Sequence, residues 1–149
     1  MQQQKSKLGE IRFRTTDNGE EIFDCLRRKF VVLTPEEKVR QAFVRFLVNQ
    51  CNFPPSLMAN EVGIRQNGRE RRCDTIVYGR DGRPVMIVEY KAPTVKITQA
   101  VFDQIYRYNL VLRVKYLVVY NGNCLYCCRA DYNRGKVDFL SSIPSYDSL

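Results

Sequence analysis

Apolar and polar positions along the chain follow two periods, and the change from one to the other marks its elements. Val39, Phe43, Phe46 and Leu47 recur at helical spacing. Thr34 precedes them as a capping residue, Pro35 fits the first turn, and Glu37 completes a capping box. The spacing therefore predicts a helix from Pro35 to about Gln50, ended by Pro54-Pro55. Ahead of it, residues 11–13 and 21–23 read as a short hairpin around Asp17-Asn18-Gly19. Beyond it the period falls to two. Residues 61–66, 73–78 and 84–91 read as strands, separated by turns at Asn67-Gly68 and Asp81-Gly82. Thr98 opens a second amphipathic helix to about Val111. Residues 116–120 and 124–129 then form two strands around Asn121-Gly122.

Helix, three strands, helix, two strands predicts an α/β fold: a mixed β-sheet flanked by helices. Residues 31–149 are expected to form the globular domain, with residues 1–30 as an N-terminal extension carrying the hairpin and a frayed polar start. In the run 84–91, Val85, Ile87, Glu89 and Lys91 fall on one face and Met86, Val88 and Tyr90 on the other. Both faces are apolar for most of its length, as in an interior strand covered on both sides.

Composition narrows the class. A chain of 149 residues supports one core, and 44% hydrophobic with 27% charged residues is the balance of a soluble domain. Val85-Met86-Ile87-Val88 is far too short to cross a bilayer, and residues 1–5 lack the apolar stretch of a secretory signal. A cytoplasmic protein without membrane contact is expected. Lys and Arg number 24 against 16 Asp and Glu, a formal charge of +8, which favours a polyanionic partner. Histidine is absent, so His triads, His bases and His-ligated zinc are excluded. Of the six cysteines, Cys124 and Cys127 have CxxC spacing, but no second pair lies at a zinc-ribbon distance. Reduced, mostly buried cysteines are expected.

The chemistry sits at the end of the interior strand. A carboxylate and an ammonium there, Glu89 and Lys91, are costly unless compensated. Asp74 opens the neighbouring strand, and a hairpin of this length brings it towards Glu89. Two such carboxylates suit Mg²⁺, which completes its shell with water and substrate phosphate. Lys91 would then orient the attacking water and offset phosphate charge, giving metal-assisted phosphodiester hydrolysis without histidine. The competing reading is an ion pair between Glu89 and Lys91. On the second helix, Gln104 and Tyr108 share a face beside Val101 and Ile105; they read equally as the rim of a core stripe.

Asp74, Glu89-Tyr90-Lys91 and Gln104-Ile105-Tyr106-Arg107-Tyr108 resemble the PD-(D/E)xK nuclease signature followed by the QxxxY motif. With Thr34-Pro35-Glu36-Glu37, Arg40-Gln41, Ala92-Pro93 and Tyr120-Asn121-Gly122, the combination resembles the N-terminal nuclease domain of the restriction (R) subunit of type I restriction enzymes and its small relatives. The resemblance spans roughly residues 30 to 130; Cys73 stands where the signature's name has Pro. It implies a restriction-endonuclease-like core of order α-β-β-β-α-β plus extra strands, acting as a DNA endonuclease. Asp74 and Glu89 would ligate Mg²⁺ (or Mn²⁺) and Lys91 would assist the water. Gln104 and Tyr108 would support the site or contact DNA backbone. Glu37 is the best match for a further glutamate at the metal, with Glu61 as the other candidate. Arg71 and Arg72 would meet phosphate or compensate the acidic site. A chain of this length leaves no room for a helicase motor, so a stand-alone relative is expected. A homodimer or other restriction-system subunits are the implied partners. The alternative is a non-cleaving nucleic-acid-binding module of the same fold.

Overall fold

The computed structural model describes residues 7–66, 68–110 and 112–149, apart from the side chains of Gln66, Arg69, Arg71 and Tyr108. The chain opens with an antiparallel meander of β1 (Phe13–Thr16), β2 (Gly19–Asp24) and β3 (Lys29–Val32). Helix α1 (Pro35–Asn49) follows, and its cap is the expected one: Thr34 Oγ1 accepts the Glu37 backbone N–H at 3.1 Å. The Glu37 carboxylate does not close the reciprocal half of a capping box. It turns to two arginines described below.

Then come β4 (Met58–Gln66), β5 (Arg69–Tyr78), β6 (Pro84–Tyr90), α2 (Gln99–Leu110), β7 (Tyr116–Tyr120), β8 (Leu125–Asp131) and β9 (Lys136–Leu140). These six strands form one sheet in sequence order, antiparallel throughout except between β6 and β7. A parallel pair needs a crossover, and α2 supplies it. Gly82, with φ +81°, takes a left-handed conformation in the turn before β6 that a side chain would strain. Asn67 of the expected β4–β5 turn and Val111 at the expected end of α2 lie outside the described residues.

The sheet divides two cores. On one face, Val39, Phe43 and Leu47 of α1 pack on Met86, Val88, Tyr90 and Val118. On the other, Phe102 and Ile105 of α2 pack on Ile76, Ile87, Leu117 and Val119. The two-sided burial expected of the strand at 84–91 is therefore present. Val85 is an exception to its alternation, packing on the α1 side beyond a register irregularity at Val77/Tyr78.

The mixed α/β architecture and its order agree with the expectation; β3 and β9 are additions to it. The boundary expected at residue 30 falls inside β3, whose partner β2 packs on α1. Among the described residues, no helix is long and apolar enough to cross a membrane.

Candidate active site

β5 and β6 pair with Thr75 opposite Val88. One further step in that register sets Asp74 across from Glu89. The ladder gives way there, because the Tyr90 backbone N–H donates to Asp74 Oδ2 at 2.9 Å. The Lys91 N–H donates to the Tyr120 carbonyl at 3.0 Å, fixing the strand end against β7. Asp74, Glu89 and Lys91 thus gather on the α2 side of the sheet. They line a cavity of about 530 Å³, and Gln104 of α2 closes its other wall with Val101 and Ile105. With Glu61 and Arg72 also on its lining, the structure brings together six of the residues singled out in the sequence. The side chains of Arg71 and Tyr108 lie outside the described residues.

The glutamates are placed differently from expectation. Glu36, not Glu37, is the α1 glutamate that lines the cavity. Glu37 Oε1 accepts from Arg27 Nη2 at 2.6 Å. Its Oε2 sits 2.7 Å from Arg40 Nε, an ion pair whose angle falls short of a hydrogen bond. Glu37 as a metal ligand does not fit this arrangement, because both its oxygens face guanidinium groups. Glu61 lines the cavity, but Arg40 Nη2 holds one oxygen at 2.6 Å and Arg72 Nε the other at 2.7 Å.

Arg40 is the residue that the sequence reading did not single out as a site residue. Its Nη1 donates to the Asp74 carbonyl at 2.9 Å. The pairs Asn60–Thr75 and Val62–Cys73 flank this point, and Glu61 between them leaves the ladder with φ +56°. A left-handed non-glycine residue inside a strand is strained, and such strain gathers at functional sites. Burial opposes the Arg40 charge, but the Glu61 hydrogen bond and the carboxylates of Glu37, Glu61 and Asp74 outweigh it and raise its pKa. One signal was available: Arg40 lies three before Phe43 and seven before Leu47, so a cation occupies the buried stripe of α1.

Beneath the cavity, the Tyr90 hydroxyl meets Thr75 Oγ1 at 3.0 Å, and Thr75 Oγ1 donates to Asn60 Oδ1 at 2.6 Å. Burial pushes the Tyr90 phenol far above its ordinary pKa, so it stays neutral. Four of the six cysteines are buried, and none is in a disulfide. Cys124 is exposed, while Cys127 and Cys128 are buried in β8, with thiols pushed up by burial to about 11 and about 12.

Does the site suit a divalent ion? Among the described residues, no group of three or more Asp, Glu, Cys or His is arranged to hold one. Asp74 and Glu89 offer two hard carboxylates on one cavity wall, and Asp74 spends Oδ2 on Tyr90. That set fits Mg²⁺, which takes one or two protein carboxylates and leaves its other positions to water and phosphate.

A mixed sheet with two carboxylates and a lysine at the end of adjacent central strands, roofed by a crossover helix, defines an α/β domain with an acidic cavity. The sequence model of the family "Type I restriction enzyme R protein N terminus (HSDR_N)" matches residues 35–144, and the chain belongs to that family. Among solved structures, the chain is similar to a fragment assigned to an HsdR subunit of a type I restriction enzyme from Vibrio vulnificus YJ016. The TM-score is 0.55 with 21% identity over 78% of this chain, a likeness of fold. The match covers 24% of that longer chain. No curated protein sequence matches.

Proposed function

We infer that this chain is a Mg²⁺-dependent DNA endonuclease domain of the PD-(D/E)xK type. The observation that carries the reading is the shared cavity: Asp74, Glu89, Lys91 and Gln104 come from three elements and line one space. In this reading Asp74 and Glu89 hold the ion, with Mn²⁺ as a substitute. When bound, the metal lowers the pKa of water and polarises the phosphoryl oxygen. The chain's own groups do the rest. Tyr90 N–H and Arg40 fix Asp74 from its carboxylate and its carbonyl. Lys91 places an ammonium where water approaches phosphorus, and it offsets charge as the P–O bond to the leaving oxygen breaks. Gln104 supplies an amide on the opposite wall for the scissile strand. Arg72, 70% exposed at the mouth, is placed to trade Glu61 for a backbone phosphate. Family membership adds support, since the R protein is part of a restriction enzyme. A second copy or restriction-system subunits would be its partners in cutting both strands.

The test is supercoiled plasmid with Mg²⁺ or Mn²⁺, comparing wild type with Lys91→Ala and Glu89→Ala. Nicking by wild type, lost in both variants and on chelation, is the expected result. No cleavage, with salt-sensitive DNA binding unchanged in the variants, would replace this reading with a non-cleaving DNA-binding module.

A further inference from the structure

We propose that Asp24 and Arg27 are positioning residues for Asp74, which makes the three-stranded sheet a working part of the site. Both lie outside the family-matched segment 35–144. The inference rests on the reading of Asp74 as a metal-binding carboxylate.

Asp24 ends β2 with 0% of its surface exposed, and two arms run from it. Along the first, Asp24 Oδ2 accepts from Arg27 Nε at 2.5 Å, and Arg27 Nη2 reaches Glu37 Oε1 at 2.6 Å. Glu37 then pairs with Arg40, whose Nη1 donates to the Asp74 carbonyl. Along the second, Asn60 Nδ2 donates to both Asp24 oxygens at 3.1 and 3.0 Å. Thr75 joins Asn60 to the Tyr90 hydroxyl, and the Tyr90 N–H donates to Asp74 Oδ2. The arms therefore close a ring on Asp74, one at its backbone and one at its carboxylate.

The charges explain why the ring must be complete. Arg40 is a buried cation within hydrogen-bonding distance of Asp74, and uncompensated it would compete there with a divalent ion. Glu61 and Glu37 neutralise it, Arg27 answers Glu37, and Asp24 answers Arg27. Removing one member of such a chain leaves its neighbours with one partner fewer, and a partly satisfied polar network is the costly state. Glue for the fold alone would need no termini on Asp74. Here the strain at Glu61 accompanies the insertion of Arg40 between β4 and the Asp74 carbonyl.

The experiment uses the full chain with Asp24→Asn, Arg27→Met and the conservative Arg27→Lys. Amide hydrogen exchange by NMR reads the Tyr90 N–H, and calorimetry with Mn²⁺ reads the metal. In Asp24→Asn and Arg27→Met, the Tyr90 amide is expected to exchange about tenfold faster while amides of β7 and β8 keep wild-type protection. Mn²⁺ affinity is expected to fall by about tenfold, as for loss of an outer-shell partner. Cleavage should then recover at saturating metal, with Arg27→Lys between wild type and Arg27→Met. Unchanged Tyr90 exchange, or exchange accelerated equally in every strand, would overturn the proposal, the latter marking general loss of stability. Should Asp24→Asn not fold, the Arg27 pair decides the matter by the same readings. A wild type that binds no Mn²⁺ and cuts no DNA would sink the nuclease reading, while Tyr90 exchange still decides whether Asp24 and Arg27 position Asp74.

Discussion

Asp24 has no exposed surface and yet is held ionised. Burial pushes its carboxyl up, but hydrogen bonds from Arg27, Asn60 and the Leu26 N–H outweigh it, and the pKa falls below the ordinary 3.8. A carboxylate with a depressed folded pKa contributes stability that is fully present above its unfolded value. That contribution disappears as pH drops through the folded one. The urea midpoint of wild type should therefore exceed that of Asp24→Asn at neutral pH, and the gap should close as pH is taken below 3.8. A gap independent of pH would mean that shape, not charge, sets the role of Asp24. At this scale the sequence showed Asp74, Glu89, Lys91 and Gln104, because strand alternation and helix spacing place each within its own element. It did not show Asp24, Arg27 or Asn60. Asp24 and Arg27 are three residues apart, but Glu37 and Asn60, which tie them to the site, lie 10 and 36 residues from them and meet them only through tertiary packing.

Among the elements, α1 joins core to site, since one helix face fills a core and the same face carries Arg40. Its start depends on Thr34, whose hydroxyl takes an N–H that would otherwise lack a partner. Thr34→Ala should cost about 1 kcal/mol in denaturant unfolding. Leu47→Ala, which empties a fully buried site in the α1 core, should cost about 2–5 kcal/mol. Equal losses from the two would show that the cap, not the packed face, governs the helix. Both helices and the central strands were legible because long periodic runs declare themselves. The strands β3 and β9 were not. Each is short, at four and five residues, and each lies at the edge of its sheet, where exposure blurs the alternation.

The whole molecule carries +8, yet its cavity is acidic. Among the described residues, Glu36, Glu61, Glu70, Asp74 and Glu89 line it against Arg40, Arg72 and Lys91, five negative groups to three positive. A polyanion is thus drawn to the molecule by its overall charge and repelled at the one place where chemistry is proposed. A divalent cation on Asp74 and Glu89 would reverse the sign there, so DNA affinity should depend on metal as well as on salt. With Ca²⁺, another hard cation that takes oxygen ligands, DNA should bind more tightly than in chelator. Glu89→Gln should lose most of that difference. In either buffer affinity should fall linearly on a log–log plot against salt, and Arg72→Gln should flatten the slope by about 1, the share of one phosphate contact. Titration by fluorescence anisotropy across salt concentrations measures all three quantities. Equal affinity in Ca²⁺ and chelator would place DNA elsewhere on the basic surface, and an unchanged slope in Arg72→Gln would leave that arginine as the partner of Glu61 alone.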